Sequence, residues 1–185
     1  MIYVIDHEDS FTYNLVHLLE GFAPTYVSNY YDINWHQLEK SKIIIFSPGP
    51  GNPSHYPETQ KVYKKYKGDK KIIGICLGFQ QILYAENADI VPQKKIYHGY
   101  QSKIKTLKES ALFKSNKVFL AGRYHSLKLK EPFNSSSLKI TMRCVESNVA
   151  MAIEDTINNV YGFQFHPDSF LTVDGKFLIQ KVLHF

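Results

Sequence analysis

The sequence predicts an α/β fold of three layers, in which helices flank a mixed, mostly parallel sheet. In the first half of the chain, short apolar segments alternate with segments of helical periodicity, the pattern of βαβ units and parallel strands. In the second half, strand-like segments follow one another across short turns, which favours antiparallel pairing. The 185 residues, 44% apolar and 21% charged, are typical of a globular protein, and we expect a single domain over residues 1–185.

Strands and helices are predicted to alternate through the first half. The segment Ile43–Phe46 is uniformly apolar, as expected of a strand that is covered on both faces. The first helix is predicted to be capped by Ser10 and to stop at Gly21. The strands of this half are predicted at 1–6, 25–27, 43–46 and 71–75, and the two further helices at 58–66 and 77–85.

The second half is predicted to add antiparallel strands to the same sheet and to end in a helix. Each strand segment is bounded by residues typical of turns. The strands are predicted at 101–106, 117–121, 137–144, 149–154 and 160–165, and the helix at about 174–183.

Composition and charge argue against several classes of protein. Two cysteines, Cys76 and Cys144, are too few for a disulfide framework and indicate a reducing cytosol. The first residues lack the features of a signal peptide, and no apolar run reaches the roughly 20 residues of a membrane span. We therefore expect a cytoplasmic protein with no membrane partner. The net charge of +5 comes mostly from lysine rather than from the arginine forks that read nucleic acids, so we expect no nucleic-acid partner.

The segment Gly74-Ile75-Cys76-Leu77-Gly78 carries the strongest chemical signal, because it follows an apolar strand and opens a helix. A nucleophile on such a turn has a strained backbone and needs small neighbours, which the two glycines supply. The dipole of the following helix favours a thiolate at Cys76. The alternative is a buried cysteine that acts only as a small apolar residue. The flanking glycines favour the nucleophile.

His166 is the predicted base for this nucleophile. Pro167 disfavours a helical conformation at His166, and residues two apart on an extended chain project to the same side, so Asp168 is placed to orient the imidazole. We expect Cys76 and His166 to meet at the carboxyl edge of the sheet, where ligands bind in open α/β folds. The alternative is a structural histidine, since the chain has eight.

Two loops are predicted to complete the site. The segment 47–53, rich in glycine and proline, follows a strand and exposes backbone N–H groups. Together with the Leu77 N–H it is suited to form an oxyanion hole, although an ordinary surface turn has the same composition. The segment 122–127 places polar groups and backbone amides between two strands, where they are suited to grip the carboxylate or amine of an amino acid.

Six segments of the chain resemble the motifs of the class I glutamine amidotransferases, which implies their flavodoxin-like fold. The resemblance is closest to the small subunits of anthranilate synthase and of aminodeoxychorismate synthase. The segments are DHEDSFTYNL (6–15), SPGPG (47–51), GICLGFQ (74–80), HG (98–99), YHSL (124–127) and YGFQFHPDS (161–169).

The resemblance implies a role for each matching residue. Cys76 would attack glutamine to form a γ-glutamyl thioester, His166 would act as base and then acid, and Asp168 would orient His166. Gly51 and Leu77 would supply the oxyanion N–H groups. The residues implied in holding glutamine are Gly49, Pro50, Gly51, Gln80, Ser126 and Leu127.

The resemblance also implies the products and partners. Water would hydrolyse the thioester to glutamate, and the ammonia would pass to a larger chorismate-binding subunit that makes anthranilate, 4-amino-4-deoxychorismate or both. Neither a metal nor an organic cofactor is implied. Two alternatives stay open at this point: a stand-alone γ-glutamyl hydrolase or peptidase, and a catalytically degenerate subunit kept for assembly.

Three residues depart from the family pattern. Asp168 stands where the family has Glu and is one methylene shorter, Phe79 replaces a His after the nucleophile, and Tyr100 replaces a Lys. We interpret Phe79 as a packing change and Tyr100 as a change at the partner interface. Because the nucleophile and the base are both kept, we expect activity to survive.

Overall fold

A computed structural model describes residues 1–184 of the chain. Its eleven strands within these residues are Ile2–Asp6 (β1), Thr25–Asn29 (β2), Ile43–Phe46 (β3), Lys71–Ile75 (β4), Ile90–Pro92 (β5), Tyr100–Thr106 (β6), Val118–Arg123 (β7), Leu127–Leu129 (β8), Lys139–Cys144 (β9), Ala150–Asp155 (β10) and Val160–Phe163 (β11). The helices are Thr12–Glu20 (α1), Trp35–Lys40 (α2), Pro57–Tyr66 (α3), Leu77–Ala85 (α4) and Gly175–His184 (α5).

Nine of these strands form one mixed sheet in the order β2-β1-β3-β4-β11-β10-β9-β6-β7. The strands from β2 to β11 pair in parallel, and those from β11 to β7 pair antiparallel. The prediction of a mixed sheet with a parallel first half and an antiparallel addition is confirmed. The last parallel strand, β11, comes from the far end of the sequence and lies beside β4, which places the two carboxyl ends side by side.

The sheet is covered on both faces, as predicted from the apolar strand segments. Successive residues of β1 alternate between two cores: Ile2 and Val4 pack on one face, and Tyr3 and Ile5 on the other. The first core contains buried residues of α1 and α5, and the second contains those of α2, α3 and α4. Period-two alternation between two helical layers is the three-layer architecture.

Three of these strands and helices were not predicted: α2 and the two strands of the small β5–β8 sheet. Helix α2 has six residues, of which only Leu38 is buried, so it carries almost no periodic signal. The Asn34 side chain caps this helix by accepting from the Gln37 backbone N–H. Each strand of the small sheet has three residues. Elements this short depend on their neighbours rather than on an apolar pattern.

The predicted cap of α1 is wrong. Phe11 stands at the N-cap position and Ser10 makes no capping hydrogen bond. Asp9 organises this end instead, because its Oδ1 accepts from the Phe11 N–H at 2.8 Å and its backbone oxygen accepts from the Thr12 N–H at 3.1 Å. A carboxylate that binds the backbone two residues further on forms a turn that competes well with a serine cap.

The predicted bounds of the other elements differ from the structure by a few residues at some ends. The largest consequence is at β11, which ends at Phe163 rather than at residue 165. Gln164 and the residues that follow therefore lie beyond the part of β11 that pairs with β4. No helix within residues 1–184 combines the length and apolar character that a bilayer span requires.

Candidate active site

Cys76 lies on the sharp turn between β4 and α4, with φ 53° and ψ −101°. A positive φ is strained for any residue other than glycine, and such strain is concentrated at functional sites. Two hydrogen bonds hold the turn: the Cys76 N–H donates to the Phe163 oxygen at 2.8 Å, and the Cys76 oxygen accepts from the Gln80 N–H at 3.2 Å. Neighbouring β11 and the first turn of α4 thus fix the strained residue.

The glycines on either side of Cys76 are required by close backbone approach. A Cβ on Gly74 would lie 2.3 Å from the Gly78 oxygen, and a Cβ on Gly78 would lie 2.1 Å from the Phe46 oxygen. Both distances are far inside van der Waals contact. Gly74 is needed for the close approach of β4 to α4, and Gly78 for that of α4 to β3, so the turn requires both glycines, as predicted.

His166 lies in the loop after β11 and is buried, with 2% of its surface exposed. Its backbone N–H donates to the Gly122 oxygen at 3.0 Å, so β7 holds the base from one side. The rings of Phe11 and Tyr124 contact the imidazole edge-on, each with centroids 5.0 Å away. These contacts fix the orientation of the ring.

The electrostatics of His166 favour its charged form. Burial lowers the pKa of the imidazole, but the Cys76 sulfur and the Asp168 carboxylate outweigh burial and raise the pKa of His166 to about 10. The sulfur of Cys76 contributes to this rise, so it lies close enough to the imidazole to act on it electrostatically. At neutral pH this arrangement favours the imidazolium form of His166, whose positive charge is suited to stabilise a thiolate in a Cys–His pair.

Asp168 lies beside the base but does not hydrogen-bond to it. Its Oδ2 is 3.6 Å from His166 Nδ1, and both side chains are almost fully buried. Within residues 1–184, neither carboxylate oxygen nor this ring nitrogen has a hydrogen-bond partner. A distance of 3.6 Å exceeds that of an N–H···O hydrogen bond, so the contact is an ionic one. The shorter Asp in place of Glu leaves this gap.

We expect Asp168→Glu to raise kcat/KM for ammonia release from glutamine by about 10-fold, because the added methylene brings the carboxylate within hydrogen-bonding distance of the imidazole. A misplacement of about 1 Å costs up to roughly 10²-fold in rate, which sets the upper limit. Steady-state kinetics on the two proteins measure the effect.

Asp168→Asn is the matched variant, since it keeps the shape and removes the charge, and it should lower kcat/KM by about 10²-fold or more. Thermal unfolding of both variants shows whether the buried site accepts the change. A fully active Asn variant that unfolds normally would show that Asp168 does not orient His166.

A cavity of about 210 Å³ opens beside Cys76. All seven residues predicted to hold glutamine or its oxyanion line it, namely the 49–51 loop, Leu77 and Gln80 from α4, and the pair 126–127. The structure thus brings together residues from separate parts of the sequence. Three further lining residues were not predicted as site residues: Asp9, Tyr124 and His125. Asp9 and the 124–125 pair lie within two of the family motifs, which is the signal that marks them.

The 47–51 loop is held rigidly against the nucleophile turn. The Ser47 hydroxyl accepts from the His7 backbone N–H at 2.9 Å, and the Tyr56 hydroxyl donates to the Pro50 oxygen at 2.7 Å. Burial lowers the pKa of His7 to about 3, so this neighbour is neutral. Gly51 has φ 76°, a conformation that favours glycine. A loop fixed in this way is suited to present backbone N–H groups without reorganisation.

The loop that carries Ser126 and Leu127 is supported by a buried arginine. Arg123 is fully buried, its guanidinium lies 3.4 Å from the centroid of the Tyr97 ring, and its Nε donates to His125 Nε2 at 3.0 Å. His125 Nδ1 then donates to the Leu127 oxygen at 2.7 Å. Burial, together with the adjacent guanidinium, lowers the pKa of His125 to about 3, so His125 is neutral.

Gln164 was not predicted as a site residue, and it lies next to both Gln80 and Cys76. It is fully buried, and its Oε1 accepts from Gln80 Nε2 at 3.0 Å. Its own Nε2 lies 3.9 Å from Cys76 Sγ. Gln80 is therefore held by its amide nitrogen.

Phe79, which departs from the family pattern next to the nucleophile, is fully buried in the second core, which agrees with a role in packing.

Comparisons with known proteins agree with this fold. The family model of class I glutamine amidotransferases matches residues 3–184. A solved structure of a glutamine amidotransferase from Thermotoga maritima superposes with a TM-score of 0.75, over 99% of this chain and 96% of that one, at 13% sequence identity. At that identity the likeness supports the fold alone. The chain belongs to the class I glutamine amidotransferases.

Two curated relatives place the chain more closely within this family. Anthranilate synthase component 2 of Lactococcus lactis is 34% identical over 100% of this chain and 94% of the relative. Anthranilate synthase component 2 of Pyropia yezoensis is 38% identical over the whole of both chains. The predicted resemblance is confirmed, and the alternative of a stand-alone γ-glutamyl hydrolase is not favoured by these relatives.

Proposed function

We propose that this chain is the glutaminase subunit of an anthranilate synthase, which releases ammonia from glutamine for a larger chorismate-using subunit. The observation that carries the proposal is the strained Cys76 turn, with His166 beside its sulfur and a cavity of about 210 Å³ in front of it. The names of the full-length relatives support the choice of synthase.

In the first step the Cys76 thiolate attacks the side-chain amide carbon of glutamine. Negative charge develops on the amide oxygen, where the N–H groups of Gly51 and Leu77 are proposed to stabilise it, each worth about 3 kcal/mol. The His166 imidazolium protonates the departing nitrogen, and ammonia leaves. A γ-glutamyl thioester remains on Cys76.

In the second step water hydrolyses the thioester. His166, now neutral, accepts a proton from water as the oxygen attacks the thioester carbon. The C–S bond breaks, glutamate leaves, and the thiolate–imidazolium pair is restored. The net reaction converts glutamine and water to glutamate and ammonia. In this scheme Asp168 stabilises the imidazolium electrostatically at both steps, and no metal or organic cofactor is used.

Exposed apolar residues near the cavity support a docking partner. Phe170 is 85% exposed and directly follows Ser169, whose hydroxyl is hydrogen-bonded to the Tyr124 hydroxyl at 3.0 Å. Ile96, 68% exposed, precedes Tyr97, the ring that stacks on His125. Exposed apolar residues grouped around a site typically mark a protein interface.

We further infer that residues 1–185 form one domain and that the protein acts in the cytoplasm.

Alkylation by a glutamine-analogue electrophile, 6-diazo-5-oxonorleucine, tests the proposed nucleophile. We expect peptide mass spectrometry to find the adduct on Cys76 and not on Cys144, which is buried in β9 and serves as the internal control. Glutamine should protect Cys76. If Cys76 stays unmodified in the folded protein bound to a large subunit, the chain is a degenerate assembly subunit instead.

Ammonia release from glutamine, measured with and without added large subunits, tests the partner. We expect release to be stimulated by the large subunit of an anthranilate synthase in the presence of chorismate. Stimulation only by the large subunit of an aminodeoxychorismate synthase would assign the chain to that pathway. Full activity with no partner would support the hydrolase instead.

A further inference from the structure

In the described part of the chain, the cavity beside Cys76 is lined by one acidic side chain and by no lysine or arginine. That acidic side chain is the carboxylate of Asp9. The one histidine among the described lining residues, His125, is neutral because of its burial and its arginine neighbour. An amino acid is a zwitterion, and its α-ammonium group needs an anion or several acceptors. Asp9 is thus the one formal charge in the cavity suited to that group.

One oxygen of the Asp9 carboxylate is held by a hydrogen bond, and the other is available to a ligand. Its Oδ1 accepts from the Phe11 backbone N–H at 2.8 Å, which fixes the carboxylate at the start of α1. Within residues 1–184 no lysine, arginine or histidine forms an ion pair with it, although such pairs form elsewhere in the chain. The second carboxylate oxygen has no protein partner in that part of the chain.

The turn that carries Asp9 is packed onto the catalytic base. The Phe11 ring lies 5.0 Å from the His166 ring and 4.7 Å from the Tyr124 ring, centroid to centroid. The turn and the reacting groups therefore form one packed unit. A ligand bound to Asp9 would therefore be held in a fixed position relative to the candidate catalytic residues.

We propose that Asp9 determines specificity by pairing its free carboxylate oxygen with the α-ammonium group of the substrate. This inference rests on the proposed glutaminase function and adds a specificity residue to it. Asp9 selects an amide that carries an α-amino group over one that lacks it. A charged hydrogen bond of this kind contributes about 10- to 100-fold in binding.

The test is Asp9→Asn with two substrates, L-glutamine and 4-carbamoylbutanoate, which has the same amide and carboxylate but no α-amino group. Asn keeps an oxygen for the Phe11 N–H and removes the charge. We expect kcat/KM for glutamine to fall by about 10- to 100-fold, chiefly through KM, while kcat/KM for 4-carbamoylbutanoate stays within about 3-fold. The wild-type preference for glutamine should shrink accordingly.

Asp69→Asn is the matched control, because it removes the same charge from an exposed turn after α3 and should change neither substrate. Equal losses for both substrates with Asp9→Asn, or no loss for either, would overturn the assignment of Asp9. Calorimetric binding of glutamine to Cys76→Ser, with and without Asp9→Asn, gives a readout that needs no turnover.

The binding measurement also separates the two proposals. If Cys76→Ser binds glutamine equally well with and without Asp9→Asn, the specificity role is wrong and the glutaminase proposal stands. If wild type releases no ammonia, with or without a large subunit, and the Cys76→Ser variant does not bind glutamine, the glutaminase proposal fails and takes the Asp9 role with it.

Discussion

Replacement of Cys76 by serine is expected to lower ammonia release from glutamine by roughly 10⁴- to 10⁶-fold. A hydroxyl stays protonated at neutral pH and is a much weaker nucleophile than a thiolate. The strained turn and the imidazole would remain, yet no γ-glutamyl thioester would form. The change is small in volume, so the melting temperature should move little. Coupled assays of glutamate and ammonia over long incubations measure the loss.

The complex with the large subunit provides the control for this variant. Synthesis supported by added ammonium salt should persist with Cys76→Ser, because the large subunit performs that chemistry. Loss of both glutamine-dependent and ammonium-dependent synthesis would contradict the proposed division of labour. Persistence of glutamine-dependent synthesis would show that Cys76 is not the nucleophile.

Replacement of Gly78 by alanine is expected to destabilise the fold by about 3 kcal/mol or more. The added Cβ would lie 2.1 Å from the Phe46 oxygen and 2.8 Å from the Phe46 Cβ. Phe46 belongs to β3, which is paired on both sides, so its backbone cannot move away. A loss of this size lowers the melting temperature of a chain of this length by about 6–12 °C, measurable by calorimetry.

Gly21→Ala is the matched substitution elsewhere in the chain. Gly21 closes α1 with φ −65°, and a Cβ there would meet only the Leu18 oxygen, at 3.4 Å. That contact is close to ordinary, so we expect a change within about 1 kcal/mol. If Gly78→Ala unfolds at the same temperature as Gly21→Ala, the close approach of the turn to β3 does not limit stability.

Local sequence patterns were sufficient to predict the fold class and to single out the candidate nucleophile. Apolar segments such as Ile43–Phe46 predict covered strands because burial on both faces leaves no place for polar side chains. The two glycines around Cys76 mark a turn with no room for side chains. These signals lie within a few residues of one another, so no knowledge of the tertiary structure is needed to find them.

The wrong and missing predictions share one cause. Ser10 has a side chain that commonly caps helices, but the carboxylate of Asp9 accepts the hydrogen bond from the Phe11 N–H instead. The sequence alone does not show which of these two adjacent residues organises the start of the helix. Helix α2 and the small β5–β8 sheet are too short to carry a periodic pattern of their own. Each depends on competing hydrogen bonds or on tertiary contacts that are decided only in the folded chain.

The sequence by itself determined the alternation of elements, the strained cysteine and a histidine suited to serve it. Only the tertiary structure decided that β11 lies next to β4, which brings His166 to Cys76, and that Asp9 and Gln164 join the same site. It also decided that Asp168 stops at 3.6 Å from the imidazole. The physical reason is that periodicity and turn chemistry act between near neighbours, whereas strand order and the depth of a buried side chain depend on packing across the whole sheet.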